Sequence, residues 1–388
     1  MRNQTKLTIT AVVLISANFK AIAQDETGFF ATLDATLVHD DNIYRVTEDL
    51  AKNDSYLSIV PKLRVIGGIG KQRYELQYKG DYAKFAEFDD ANYSDHDLKG
   101  RIDLEHSLRF STNFEAGYQK EHEEPGSINR IQLNITEYNK FNLGYVLAGF
   151  AYGQDNSIGK ISFNYRKTSK DYTNNSLDFL DYDSQQITTR FTYRIAPKTR
   201  IYIEALLSEF DYKPVLDFDL DNDVTRYRAG LSWDFTNKLT GDINVGYQDR
   251  DYQQESIQDI NGIAYNGEIN WSINSYTNLE LLATRESLDS TLGEAGGFLR
   301  NLYSLSLNHE LTELLKVEAN AEFTTDELFI NTSREDDRNS YSFAISYDLL
   351  RNVTVGVFYE YEERESTDIL AEYKANIVGL NLIVSLDN

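Results

Sequence analysis

Apolar and polar side chains alternate along the stretch from Leu98 to Tyr118. The even positions carry mostly apolar or aromatic residues: Leu98, Ile102, Leu104, Leu108, Phe110, Phe114 and Tyr118. The odd positions carry charged residues: Lys99, Arg101, Asp103, Glu105, Arg109 and Glu115. A period of two indicates β-strands, because successive side chains of a strand leave on opposite faces. The arms are long and the turn between them, around Ser111–Thr112, is short, which is typical of a hairpin in a transmembrane β-barrel.

The same alternation recurs along the chain and predicts eighteen strands. They are expected at 29–38, 55–66, 71–83, 97–109, 111–122, 142–152, 160–172, 183–195, 198–212, 224–236, 239–252, 262–274, 277–287, 300–311, 315–326, 338–349, 353–364 and 372–385. Ile131, Leu133 and Ile135 also alternate, and a strand there would raise the number to nineteen. Barrels of this class have an even number of strands, with short periplasmic turns alternating with longer extracellular loops. This rule favours eighteen strands and places both termini in the periplasm.

The fold class predicted is therefore all-β, a transmembrane antiparallel up-and-down β-barrel. A soluble sandwich or propeller would need shorter strands with a second apolar layer or blade repeats, and neither pattern is present. The segment from Gly126 to Asn142 is long enough to fold into the barrel as a constriction or lid.

The N-terminus has the pattern of a secretory signal peptide over residues 1–23. Basic Arg2 and Lys6 precede an apolar run from Leu7 to Phe19, and Ala21 and Ala23 form a small-x-small cleavage site. Residues 24–388 would then form the barrel domain, in contact with lipid in the outer membrane of a Gram-negative bacterium.

Composition excludes several other classes of function. The formal net charge is −24, which makes nucleic-acid binding improbable, and the absence of cysteine excludes disulfides and thiolate sites. The five histidines show no spacing that predicts a catalytic site, and we expect no cofactor. Alternating carboxylates at Asp217, Asp219, Asp221 and Asp223 lack the glycine and the later glutamate of an EF-hand loop. A solvated acidic loop is the preferred interpretation there, and no metal site is predicted.

Basic residues cluster on the polar face of adjacent predicted strands. These candidate lumen-facing residues are Lys62, Arg64, Arg73, Lys79, Lys99, Arg101 and Arg109. Carboxylates are interleaved with them, so cross-strand charge pairing of the kind that lines any water-filled barrel is one interpretation. The other is a polar track for an anionic or hydroxyl-rich solute. The mixed signs favour charge pairing, and both interpretations stay open.

The segment His39–Arg45 (HDDNIYR) and the run SYLSIVPKLRVIGGIGKQRYELQYKGDYAKF from Ser55 resemble a known family. It is a β-barrel porin family encoded in exopolysaccharide and capsule operons. Further matching residues lie near the C-terminus: Arg338, Tyr341, Tyr359, Tyr361, Arg364, Ser366 and Tyr373. The resemblance implies a barrel that exports a polysaccharide together with periplasmic and inner-membrane export proteins, and it implies no catalytic residues. The alternative is a general or substrate-selective diffusion porin for small solutes; an outer-membrane enzyme is not favoured.

Overall fold

The computed structural model describes residues 27–128, 137–154, 157–213, 219–236, 238–289, 296–329 and 334–387. Their backbone lies almost entirely in eighteen strands. These are β1 (Gly28–Asp40), β2 (Asp54–Ile69), β3 (Gln72–Phe85), β4 (Tyr93–Glu105), β5 (Phe110–His122), β6 (Lys140–Tyr152), β7 (Gly159–Tyr172), β8 (Tyr182–Ala196), β9 (Thr199–Tyr212), β10 (Asn222–Thr236), β11 (Leu239–Tyr252), β12 (Ile260–Ser272), β13 (Thr277–Asp289), β14 (Gly297–Glu310), β15 (Leu315–Leu328), β16 (Arg334–Leu350), β17 (Val353–Ser366) and β18 (Tyr373–Asp387). Three single 3₁₀ turns lie in the longer loops, at Asp89–Ala91, Asp178–Leu180 and Ile369–Ala371.

Every strand pairs antiparallel with its neighbours in the chain, and β1 also pairs with β18, so the sheet closes into a ring. Even-numbered strands lead into short turns at one end of the barrel, and odd-numbered strands lead into longer loops at the other. We call these the turn end and the loop end; β1 starts and β18 finishes at the turn end. The prediction of eighteen strands is confirmed. Residues 131–135, the alternative nineteenth strand, and the predicted signal peptide lie outside the described residues.

The pairing register separates an outer and an inner face on every strand. On β10, Leu231 lies opposite Ile201 and Ile243, whereas the next residue, Ser232, lies opposite Arg200 and Asp242. The outer face is apolar over the middle of the strands, and many of its large aliphatic and aromatic side chains are exposed on the molecule's surface. A sheet with this alternation, closed on itself, can cross a bilayer because the ladders between neighbouring strands supply partners for its backbone polar groups. In the part of the chain that is described, no helix is long and apolar enough to span a membrane.

One strand boundary differs from the prediction in a way that matters for the lumen. Strand β4 ends at Glu105, not at residue 109, and His106–Arg109 form the turn to β5. The Ser107 hydroxyl oxygen accepts hydrogen bonds from the backbone N–H groups of Arg109 (3.2 Å) and Phe110 (3.1 Å) and so stabilises this turn. The alternation of residue types continues through the turn, and therefore a pattern alone places the end of β4 too late.

Candidate functional site

The inner face of strands β2–β4 carries six of the seven predicted basic residues. The register places them in neighbouring rows on the wall: Lys62, Arg64, Arg73, Lys79, Lys99 and Arg101. Lys62 lies directly opposite Lys79 in the β2–β3 ladder. The predicted position of Arg109 on this wall is wrong, because Arg109 is an exposed residue of the β4–β5 turn.

The arginines of this wall are held by carboxylates, and two of its lysines are not. Glu75 accepts from Arg64 Nε at 2.8 Å and from an Arg73 guanidinium nitrogen at 3.0 Å. Arg101 is likewise paired, at 2.9 Å from Asp103 and with Glu115 at 3.5 Å. Pairing with carboxylates of the same strand and of neighbouring strands therefore accounts for the arginines. By contrast, no described carboxylate oxygen lies within 4.0 Å of the ammonium nitrogen of Lys62 or Lys99. These two charges are available to a passing solute.

Further inward-facing cations extend the basic wall across β7–β10. Arg166 lies 4.0 Å above the ring of Tyr145 and donates to the Thr168 hydroxyl at 3.3 Å, without a carboxylate partner among the described residues. Arg190 and Arg228, on neighbouring inner faces, share Glu204 at 2.7 and 3.1 Å. These residues are absent from the predicted set, although the period-two pattern that places the first group inward places them inward as well.

Carboxylates dominate the wall on the other side of the ring. The inward-facing glutamates of β12–β17 are Glu268, Glu280, Glu318, Glu322 and Glu360. Their visible partners are neutral: Asn270 donates to Glu268 at 2.9 Å, and Ser340 donates to Glu360 at 3.1 Å. Within the described chain, no lysine or arginine nitrogen lies within 4.0 Å of any of them. In a closed ring of eighteen strands, β3 lies opposite β12 and β8 opposite β17. The lumen therefore has a basic side that faces an acidic side.

The interior is packed at the loop end. One apolar cluster joins residues of five strands to the loops above them: Phe141, Tyr172, Leu177, Leu180, Leu220, Tyr252, Ile257, Ile260 and Leu299. A second gathers around Tyr138 and contains Ile43, Ala83, Phe85 and Ala91. Buried side chains thus fill the loop end, whereas most of the charged side chains of the two walls are at least partly exposed.

The β5–β6 loop takes the inward course expected for Gly126–Asn142. Ile128 packs against Phe298 and Leu328, which lie on β14 and β15, on the far side of the ring from β5. The carbonyl groups of Gly126 and Ser127 accept hydrogen bonds from Arg364 of β17, at 3.1 and 3.4 Å. At the other end of the loop, the buried Tyr138 donates to the Ile43 carbonyl at 3.2 Å. The part of the loop before residue 129 therefore reaches across the lumen, and residues 129–136 lie outside the described residues.

The HDDNIYR segment fixes the loop end where the ring closes. Arg45 pairs with Asp40 at 2.7 Å and with Glu362 of β17 at 2.6 Å, and Asn42 donates to the Lys374 carbonyl at 3.0 Å. Burial alone would lower the pKa of Arg45, but the carboxylates of Glu362 and Asp40 outweigh it and raise that pKa well above its usual value. The guanidinium is therefore charged at every physiological pH. The residues of this segment that carry the family resemblance thus hold the β1–β2 loop against β17 and β18, the strands next to the point of closure.

A closed eighteen-stranded barrel with an apolar outer face, a charged lumen and an inward loop defines an outer-membrane β-barrel channel of the porin type. The chain belongs to the family described as putative beta-barrel porin 2, whose model matches residues 29–386. It is a protein of the bacterial outer membrane. No curated protein sequence matches it significantly.

Solved structures share the fold at low sequence identity. OccK9 (OpdG) of Pseudomonas aeruginosa superposes with a TM-score of 0.52 at 9% identity, over 93% of this chain and 99% of that one. OpdO of the same species gives 0.51 at 10% identity, over 93% and 97%. OccAB2 of Acinetobacter baumannii gives 0.50 at 10% identity, over 94% and 98%. At such identities the likeness concerns the fold alone.

Proposed function

We propose that this protein is a diffusion porin that admits small polar solutes and selects those that carry an anionic group. The observation that carries the proposal is the pair of opposing charged walls, with Lys62, Lys99 and Arg166 free of carboxylate partners among the described residues. A narrow aqueous lumen has a lower effective dielectric than bulk water, so charges on its wall act on a permeating ion more strongly than exposed pairs do. A carboxylate or phosphate would travel along the basic side, with the rest of the solute turned toward the glutamates.

Polysaccharide export, with periplasmic and inner-membrane partners, is what the family resemblance implies, and it stays a prediction. The packed loop end supports the small-solute function instead. A glycan chain leaving through that end would have to displace two apolar clusters and the crossing β5–β6 loop. A small solute needs only a gap between them.

The selectivity of the purified barrel in planar bilayers tests the proposal. We would replace the three unpaired cations together (Lys62→Glu, Lys99→Glu, Arg166→Glu) and measure the reversal potential under a salt gradient. The lumen substitutions should shift selectivity toward cations and leave the barrel folded, since lumen residues tune selectivity more than stability. The shift should shrink at about 1 M salt, where the Debye length is roughly 3 Å.

The matched control is Lys84→Glu with Lys120→Glu and Lys167→Glu, which makes the same charge change on the outer face. It should leave the reversal potential unchanged. A folded wild-type barrel without conductance, or a triple variant with wild-type selectivity, would overturn the proposal. Loss of surface polysaccharide in a deletion strain, restored by the triple variant, would favour export.

A further inference from the structure

The shortest ladder between neighbouring strands in the described part of the ring joins β12 and β13. Their ladder runs for eight residue pairs, from Ser272 opposite Asn278 to Tyr265 opposite Arg285. Beyond that point β12 continues to pair with β11 as far as Ile260. Strand β13 also continues, paired with β14 as far as Asp289 opposite Gly297. Above Tyr265 the two strands therefore separate, although both remain extended.

The loop-end part of β13 passes into the lumen. The Ser287 backbone N–H donates to the side-chain oxygen of Gln248 at 3.1 Å, and Arg250 Nε donates to the Ser287 hydroxyl at 3.4 Å. Gln248 and Arg250 face inward from β11, so β13 reaches them only by crossing the inner face of β12. The inward residues of β12 at this level are Gly262 and Ala264, which leave room for a backbone to pass. Gly262 has φ +146°, a conformation that side-chain-bearing residues rarely adopt.

We call residues 286–289 of β13 and residues 296–299 at the start of β14 the flap. They are the described residues on either side of the β13–β14 loop. Both of its faces are covered. Phe298 contacts Ile128 and Leu328 on one side, and Leu299 belongs to the large apolar cluster on the other. Ser287 is only 2% exposed. A strand segment of a barrel wall would have one face toward lipid, and the flap has none.

Two ion pairs latch the flap in this position. Arg226 of β10 pairs with Glu286 at 3.1 Å, and Arg250 of β11 pairs with Asp289. The inward position also leaves polar groups without partners: among the described residues, neither Arg226 Nε nor the Gln248 side-chain nitrogen finds a hydrogen-bond acceptor. Buried unpaired donors raise the free energy of this state, so a second position of the flap can compete with it.

We propose that the flap is a gate with two positions, the latched one inside the lumen and a second one in the barrel wall. In the second position β13 continues its ladder with β12 in the existing register, which places Ser287 opposite Ile263 and Asp289 opposite Asn261. The free edges of both strands then gain ladder partners in exchange for the latch. Phe298 and Leu299 stay paired with Leu328 and Glu327 of β15, and the movement turns Leu299 outward from the packed loop end and widens the passage. As a gate, the flap rests on the proposed porin function.

Cysteine cross-linking tests the two positions directly, because the chain has no cysteine of its own. Gln248→Cys with Ser287→Cys, bridged by a short bifunctional thiol reagent, reports the latched position. Ile263→Cys with Ser287→Cys reports the wall position, since Ile263 is outward-facing and 60% exposed whereas Ser287 lies inside the wall. We expect both pairs to cross-link in membranes, and single-cysteine variants to give no intramolecular product. A barrel in which only the 248–287 pair reacts has a fixed flap, and the proposal is then wrong.

Conductance distinguishes failure of the gate from failure of the porin function. The bridged 248–287 barrel should conduct less than wild type and recover on reduction, and the bridged 263–287 barrel should conduct several-fold more. The latch variant Glu286→Gln with Asp289→Asn should also open more often, whereas Glu310→Gln with Glu313→Gln, at the turn end, should match wild type. Cross-linking at 263–287 without conductance would mean that the flap moves but the barrel is no porin. If the barrel conducts and neither the two bridges nor the latch variant alters its conductance, the gate is refuted and the porin function stands.

Discussion

Replacing Leu231 by arginine should unfold the barrel far more readily than the same change one residue later. Strand β10 rises about 3.4 Å per residue and strands of such barrels tilt by about 40°, which gives roughly 2.5 Å of height per residue. The outward residues of β10 change from polar Asp223 to aromatic Tyr227 toward the middle of the strand. Leu231 therefore lies roughly 10 Å below the aromatic ring of the interface, near the middle of an apolar band about 25 Å tall.

An arginine at the bilayer midplane costs roughly 2–4 kcal/mol. That cost corresponds to a change of about 30- to 900-fold in the folding equilibrium. Ser232 faces the lumen between Arg200 and Asp242, where water and a carboxylate are available to a new guanidinium. We expect Ser232→Arg to change the unfolding free energy by less than about 1 kcal/mol, as for a solvated position away from special features.

Urea titration of the barrel in lipid vesicles measures the difference, with the heat-resistant folded band as the readout. The Leu231→Arg curve should shift to lower urea with its slope unchanged, and the Ser232→Arg curve should overlay wild type. Equal shifts of the two variants would show that this face of β10 does not meet lipid, and the assignment of inner and outer faces would fail.

Three further perturbations test the loop end and the orientation. Arg45→Met leaves the buried Asp40 and the partly exposed Glu362 without this cation and should lower stability by roughly 3–5 kcal/mol, less in Arg45→Lys; equal urea midpoints of the three proteins would refute this role of Arg45. Gly126 has φ +79°, and a Cβ there would lie 2.6 Å from the Tyr373 hydroxyl oxygen. Gly126→Val should therefore displace the β5–β6 loop from the lumen and speed its cleavage by added protease. An unchanged cleavage rate would contradict this. A protease site inserted after Asp221 should be cut on intact cells and one after Pro197 protected, and the reverse would place both termini outside the cell.

The repeating wall of the barrel could be predicted from sequence, because the inner and outer faces of each strand carry polar and apolar residues in alternation. Strand number, the alternation of turns and loops, and the inward register of Lys62 and Arg101 all follow from a period of two. The end of β4 could not be predicted in this way, because the hydrogen bonds of the Ser107 hydroxyl stabilise the turn and leave no trace in the alternation of residue types.

The contacts between residues packed inside the loop end could not be predicted from the alternation of residue types either. Ile128 contacts Phe298, and Arg45 pairs with Glu362, across 170 and 317 residues of chain. Such contacts depend on closure of the ring, which brings together positions that no spacing rule relates. The separation of β12 from β13 is hidden for the same reason, since β12 still carries the outward apolar residues Ile263 and Tyr265 that a wall strand would have. A short run of small inward residues at Gly262 and Ala264 is the one local sign of it.

Selectivity and gating occupy different places in this barrel, and that separation is itself testable. The free cations Lys62 and Lys99 lie on β2 and β4, across the ring from the flap, and none of their described contacts reaches it. Glu280, in contrast, lies on β13, six residues before the latch residue Glu286 on the same inner face.

Lys62→Glu should therefore change the reversal potential and leave the open probability unchanged, while Glu286→Gln should change the open probability and leave the reversal potential unchanged. Glu280→Gln should move selectivity toward anions with only a minor effect on opening. If every one of these single variants changed both quantities together, the charged walls and the flap would form one coupled device, and the gate could not be assigned to the β12–β13 joint alone.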